Sequence, residues 1–137
     1  ETFFEKLQRV SHSRIVEWLN REILMPRGKG IVNTTASYDA MWKKLLSQEC
    51  NDRTCLGAFV DWDNSPRRGY NSIIMKGASP EKFGKYMSLL LQKAQRANVP
   101  MIVINAWNEW AEGAYLEPDE EYGMAYLEAL KKARSAV

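Results

Sequence analysis

Apolar residues along the chain recur with two different periods, and the places where the period changes mark the elements. Phe3, Leu7 and Val10 fall at helical spacing, as do Ile15, Trp18 and Leu19, which predicts one or two amphipathic helices before the turn Pro26-Arg27-Gly28-Lys29-Gly30. Ile31-Val32 predicts the end of a short strand. Ser37 is a suitable N-cap for Tyr38, Met41, Trp42, Leu45 and Leu46, one face of a helix over about 38–48, with Met41 and Trp42 in the core. Leu56 to Val60 predicts a second strand. Ser79-Pro80-Glu81 then opens a helix with a capping hydroxyl, a proline at its first position and an acid in its first turn. Phe83, Met87, Leu90, Leu91 and Ala94 form a wide apolar stripe on that helix, and Asn98 ends it. Met101-Ile102-Val103-Ile104, preceded by Pro100, suits a strand buried on both faces. A last helix over about 120–135 turns Tyr122, Tyr126, Leu127, Leu130 and Ala133 inward, with Lys131, Lys132 and Arg134 near its C-terminus, where cations suit the helix dipole.

Strands that end in polar loops and are followed by helices are the repeating unit of a (β/α)8 barrel, whose active sites lie at the C-terminal ends of the strands. The predicted class is therefore α/β, with parallel strands alternating with helices as the C-terminal part of a TIM-like barrel. A complete barrel needs about 250 residues, so residues 1–137 read as a single partial domain. So few strands leave apolar surface uncovered, which calls for further residues of a longer protein or for a second copy completing the sheet as a homo-oligomer.

Composition narrows the partners. Hydrophobic residues at 45% and charged residues at 26% are those of an ordinary globular domain. A net charge of +2, from basic residues that are scattered along the chain, is too small to argue for a nucleic-acid partner, and none is expected. No apolar stretch reaches the ~18 residues of a membrane span, and a chain that begins at Glu1 without an initiator methionine or leader looks cut from something larger, so nothing in it reports on secretion; the compartment is left open, with the cytoplasm favoured. Cys50 and Cys55 bracket four residues without a second cysteine pair, which predicts no metal site and leaves either a small surface disulfide or two unrelated thiols. His12 is given no role and no cofactor is implied. Asn33-Thr34-Thr35 fits a glycosylation acceptor.

The chemistry gathers where the two best strands stop. After Ile104 come Asn105, Asn108, Glu109, Glu112, Glu117 and Asp119, interleaved with Trp107, Trp110 and Tyr115. Tryptophans have no use in a solvated loop and carboxylates none in a core, so the mixture predicts a cleft for a polar ligand with flat apolar faces, which is a description of a sugar. If the chain turns helically there, Glu109 and Glu112 share one face with Cβ atoms roughly 5–6 Å apart. Retaining glycosidases hold their acid and nucleophile about 5–5.5 Å apart, so the spacing suits a pair flanking one glycosidic bond, as it also suits two solvated glutamates at a helix start. After Val60 come Asp61, Trp62, Asp63, Asn64 and Ser65-Pro66-Arg67-Arg68. The planar forks of Arg67 and Arg68 could meet an anionic group on a substrate or hold Asp63 and Glu117 in place. Asp63 is the expected direct sugar contact.

The string from Asn105 to Asp119, with Tyr122-Gly123 and Tyr126-Leu127-Glu128-Ala129 after it, resembles the signature of the WbsX-type polysaccharide-biosynthesis proteins, which are described as glycosyltransferases. Those proteins are similar to glycoside hydrolase family 99, the endo-acting α-mannosidases and α-mannanases. Trp62 to Arg68 also resembles the WbsX-type pattern, with Ser65 where threonine is common, and the likeness runs over about 56–130. Ala111 stands where the hydrolases usually carry histidine. The resemblance implies that Glu109 deprotonates a sugar 2-hydroxyl to form an anhydro-sugar while Glu112 protonates the leaving oxygen. It also implies a glycan site lined by Trp62, Asp63, Asn64, Arg67, Asn105, Trp107, Asn108, Trp110, Tyr115 and Glu117.

Three functions are compatible with these residues. One is hydrolysis of a glycan, one is glycosyl transfer in lipopolysaccharide or O-antigen assembly, and one is a noncatalytic carbohydrate-binding fragment. Asp61-Trp62-Asp63 spells the D-x-D of many metal-dependent transferases, a string short enough to recur by chance and unaccompanied by a glycine-rich phosphate loop.

Overall fold

Two parallel strand pairs, with helices between their strands, organise residues 34–69 and 72–136, which are those described by the computed structural model. In chain order the elements are β1 (Thr34–Ser37), α1 (Tyr38–Ser47), β2 (Cys55–Phe59), α2 (Ser65–Arg68), β3 (Ile73–Lys76), α3 (Pro80–Arg96), β4 (Met101–Asn105), β5 (Asn108–Glu109), a 3-10 turn (Trp110–Glu112), β6 (Ala114–Tyr115) and α4 (Ala125–Ser135). β1 pairs with β3 and β2 with β4, both parallel, while β5 and β6 form a short antiparallel hairpin. The predicted α/β class with parallel strands is therefore present, but the described residues form no closed barrel. The strand and helices expected within residues 1–32 lie outside the described residues.

The β2-α3-β4 segment is the unit that the apolar pattern predicts. Ser79 caps α3, its hydroxyl accepting from the Lys82 N–H at 3.3 Å, and Pro80 occupies the first turn, where a missing N–H leaves nothing unpaired. Phe83, Tyr86, Met87, Leu90 and Ala94 are buried against Leu56, Ala58 and Val60 of the β2 segment. After α3, Asn98 takes a left-handed φ of 52° and Val99 N–H bonds back to the Ala94 carbonyl at 2.8 Å, reversing the chain into β4. Across the helix layer, α3 and α4 approach closely at Gly84, where an added Cβ would lie 3.1 Å from the Ala129 Cβ.

Three expectations require correction. β4 is not buried on both faces, since Ile102 and Ile104 pack against the core while Met101 and Val103 are 55% and 52% exposed. Side chains alternate across a strand, and the described helices cover only the Ile102 face. Met41 points outward although Trp42 is fully buried, because α1 presents the Tyr38-Trp42 edge to α3. α4 begins at Ala125 rather than near 120, because Gly123 adopts φ 53° and its N–H bonds to the Asp119 carbonyl at 3.0 Å, a turn that a helix cannot continue through.

β3 was not anticipated from the pattern. Its four residues are too short to show a period, although glycines at 69 and 77 flank the segment. It runs back beside the loop that follows β2: Met75 N–H donates to the Trp62 carbonyl at 2.7 Å and Ile73 N–H to Asn64 Oδ1 at 2.8 Å.

An aromatic cluster ties the helices to β2. Trp42 stacks on Phe59 at 5.0 Å and on Tyr86 at 5.4 Å, with Tyr38 and Phe83 edge-on around it. On the rim, Asp39 accepts from Lys82 Nζ at 2.6 Å and from the Tyr86 hydroxyl at 2.7 Å; the Lys82 bond first, then Tyr86, holds its carboxyl below the usual aspartate range. Inside the cluster, the Tyr38 hydroxyl and the Trp42 indole N–H are buried and, among the described residues, have no hydrogen bond of good geometry; burial pushes the Tyr38 phenol up, against a weak contact from Trp42.

Trp42→Ala is expected to lower stability by about 3–5 kcal/mol, since it empties the centre of the cluster. Tyr38→Phe is expected to leave stability unchanged or raise it, because it removes a buried hydroxyl that makes no well-formed hydrogen bond among the described residues. Chemical denaturation of both variants checks the contrast. Residues 1–137 expressed alone are expected to self-associate or to unfold without a sharp transition, given the open face of β4. A monodisperse, cooperatively melting monomer in sedimentation and calorimetry would contradict that expectation.

Candidate functional site

The register of the β2-β4 pair decides where the polar loops meet. Phe59 lies opposite Asn105, and Val60 N–H donates to the Asn105 carbonyl at 3.2 Å, so both loops leave from the same C-terminal edge. The Asn105-Ala106 peptide is cis. Beyond it the chain forms the β5-β6 hairpin, with Asn108 opposite Tyr115 and Glu109 opposite Ala114. Leu116 and Glu117 N–H groups both donate to the Trp107 carbonyl, at 2.9 and 3.0 Å, and close the base of the loop.

Glu109 and Glu112 therefore do not sit on an α-helix, as their spacing suggested. Glu109 ends β5 with φ −83° and ψ 67°, and Glu112 ends the 3-10 turn, which Gly113 closes in a left-handed conformation. Residues three apart eclipse along a 3-10 helix, but Glu109 flanks the turn rather than belonging to it. The environments of the two carboxylates differ sharply. Glu109 is exposed, whereas the Glu112 side chain keeps only 13% of its surface and is ion-paired with Arg67.

Backbone contacts lock the two loops together. Asp63 N–H donates to the Glu112 carbonyl at 2.8 Å, and a Cβ on Gly113 would stand 3.1 Å from the Asp63 nitrogen. With φ at 61° as well, position 113 favours glycine on two counts. Arg67 holds Glu112 rather than Asp63 or Glu117, the partners considered from sequence. Asp63 instead accepts from Ser65 N–H at 2.9 Å, turning the chain into α2. Glu117 accepts from the Trp110 indole N–H at 2.7 Å.

Those bonds orient the aromatic residues. Trp110 stacks on Tyr115 at 3.8 Å with 17° between the rings, and Glu117 fixes its edge. Trp110 and Trp107 remain 48% and 54% exposed, so flat apolar surface is offered to solvent beside the carboxylates. Asn105 and Asn108 are exposed on the same loop, and Trp62 is half-buried. Asn64 is turned inward, where its side chain holds β3.

Asp61 was noted in the sequence as the start of the polar loop after Val60 and as part of the D-x-D string, with no role assigned to it. It is half-buried just past β2, and burial pushes its carboxyl up, against a 2.7 Å bond from Trp62 N–H; Asp63 and Glu121 push the same way and Lys76 opposes them. Burial first, then Asp119, raises the Tyr115 phenol as well. No group of three or more His, Cys, Asp or Glu side chains suited to a metal occurs among the described residues. Cys50 and Cys55 are free thiols. No described helix is long and apolar enough to cross a membrane.

A group whose folded-state pKa is raised holds its proton more tightly folded than unfolded, so stability falls as pH climbs from the ordinary aspartate value of 3.8 through the raised one. Asp61→Asn keeps the acceptor for Trp62 N–H and removes the buried charge. The variant is expected to melt like the parent protein in acid and at higher temperature near neutrality. A gain confined to acid, or none at neutral pH, would overturn the assignment of Asp61 as a desolvated acid.

Residues 3–130 match the sequence profile of the family described as glycosyltransferase WbsX, a longer match than the 56–130 likeness noted above. The chain is 39% identical over 113 residues to the protein named WxcX of Xanthomonas campestris pv. campestris strain ATCC 33913, covering 75% of this chain and 16% of that protein. Against WxcX of strain B100 it is 46% identical over 81 residues, 56% of this chain and 12% of that protein. The chain thus spans less than a fifth of these relatives. No solved structure matches it. The profile spans nearly the whole chain, including both polar loops and the strands that carry them, and on that match the chain belongs to the glycosyltransferase WbsX family.

Proposed function

We propose that this chain is part of a carbohydrate-active enzyme that makes or breaks glycosidic bonds of a polysaccharide, with Glu109 as its base and Glu112 as its acid. The observation that carries the reading is the locked pair of loops. Two glutamates in unlike environments stand beside exposed Trp107 and Trp110 on a hairpin that backbone bonds fix to the Asp63 loop. Apolar ring faces suit the C–H faces of a sugar, and Asp63, Asn105 and Asn108 supply bonds for its hydroxyls. The rest of the site would come from a (β/α)8 barrel of which these residues form the C-terminal part, its lumen lying on the open Met101-Val103 face of β4.

The family's description as a glycosyltransferase favours glycosyl transfer over hydrolysis, and we read that transfer as a step in surface-polysaccharide assembly. The glutamate pair supports the second reading, a family-99-like hydrolysis in which Glu109 takes the proton of the 2-hydroxyl and Glu112 protonates the leaving oxygen. Activity on a nucleotide-sugar that requires Mn²⁺ would mark transfer, and metal-independent glycan cleavage would mark hydrolysis.

In the full-length enzyme, Glu109→Gln and Glu112→Gln are each expected to lower turnover by about 10²–10⁴-fold while glycan binding survives, since the amide keeps the shape and loses the proton transfer. Glu120→Gln, on an exposed turn outside the site, is expected to change little. Only Glu112→Gln is expected to recover with a substrate whose leaving group needs no proton. Near-normal turnover in both variants would remove the pair from the chemistry.

A further inference from the structure

The Arg67-Glu112 ion pair poses a chemical problem for the site in which it lies. A carboxylate paired with a guanidinium is favoured in its ionised form and has no proton to give. If Glu112 acts as the acid, the pair has to open first. The two partners are unequally free to move. Glu112 is held by its own backbone, its carbonyl bonded to Asp63 N–H and its neighbour Gly113 packed on Asp63, and its side chain is largely covered. Arg67 lies on α2 with 55% of its side chain exposed, and its neighbour Arg68 is exposed with no ion-pair partner among the described residues. The Asn64 carbonyl accepts from both of their N–H groups, at 3.2 and 2.9 Å, so α2 presents both arginines from one fixed turn.

We infer that Arg67 is an anion-docking residue, and that an anionic group on the substrate displaces Glu112 from its guanidinium. The chemistry recognised is a pair of oxygens in one plane, as on a phosphoryl group or a sugar carboxylate, which matches the guanidinium fork. With Arg67 more than half in solvent the pair is screened on that side, and a surface ion pair contributes about a fivefold factor at most to an equilibrium, so a bidentate anion can compete with it. Displacement would free Glu112 to take up a proton only when such a substrate is in place. This inference rests on the reading of Glu112 as a sugar-site residue, but its test measures binding without turnover, so the two can fail separately.

The test is calorimetric titration of the full-length protein with inorganic pyrophosphate, with glucuronate and with neutral glucose as control. At least one of the two anions is expected to bind, and which one does separates a phosphorylated donor from an acidic sugar. Because Glu112 competes for Arg67, Glu112→Gln is expected to tighten that anion roughly two- to fivefold. Arg67→Met is expected to lose it and Arg67→Lys to retain part of it. Binding of neither anion, or an affinity that Glu112→Gln leaves unchanged, overturns the inference. So does an affinity that Arg67→Met leaves intact and Arg68→Met removes.

Discussion

The parallel pairing of β2 with β4 is the constraint on which the rest depends. Its in-register hydrogen bonds put Phe59 opposite Asn105, so two chain segments 46 residues apart end at one edge and release their polar loops side by side. A one-residue slip would turn Leu56 and Ala58, or Ile102 and Ile104, away from the helices that cover them, so burial on that face and loop position are set together. The same alternation leaves Met101 and Val103 outside the described core, on a face that the described elements do not cover.

Around this pair an aromatic cluster links the helices to the sheet. Trp42, sandwiched between Phe59 and Tyr86, joins α1, β2 and α3, and Phe83 passes the contact on to Tyr126 of α4 at 5.6 Å. Polar links finish the assembly at its rim: Asp39 with Lys82 and Tyr86 at one end of α1, and Lys93 Nζ on the Leu46 and Gln48 carbonyls at the other. The last bonds take up carbonyls that a helix end leaves without an internal partner.

At the loop edge, one backbone bond from Asp63 to the Glu112 carbonyl does what neither loop could do alone. It fixes the covered carboxylate against the Asp63 loop and brings Arg67 within reach of it, while Glu109 stays open to solvent. Two carboxylates close in sequence thereby acquire different surroundings, one covered and paired with a guanidinium, the other open to solvent. The stack of Trp110 on Tyr115, steered by Glu117, fixes the orientation of the neighbouring ring face.

Much of this was legible in the residues alone. Ser79-Pro80-Glu81 announces α3 because capping and the proline ring act locally, the Phe83-to-Ala94 stripe names its buried face, and Asn98 marks its end. The apolar runs at 56–60 and 101–104, each followed at once by carboxylates and tryptophans, locate both strands and both loops. What lay outside the reach of the sequence were features set by partners distant along the chain. Whether Arg67 meets Glu112, Asp63 or Glu117 depends on how the loops dock, and a charge pattern is silent on that. The burial of Asp61, the outward turn of Met41 and the one-sided cover of β4 follow from which neighbours are present, not from period or propensity. The glutamate spacing suggested a helix, yet the antiparallel pairing of residues 108–109 with 114–115 and the left-handed Gly113 made a hairpin and a 3-10 turn instead, because cross-strand bonds there override a weak local preference.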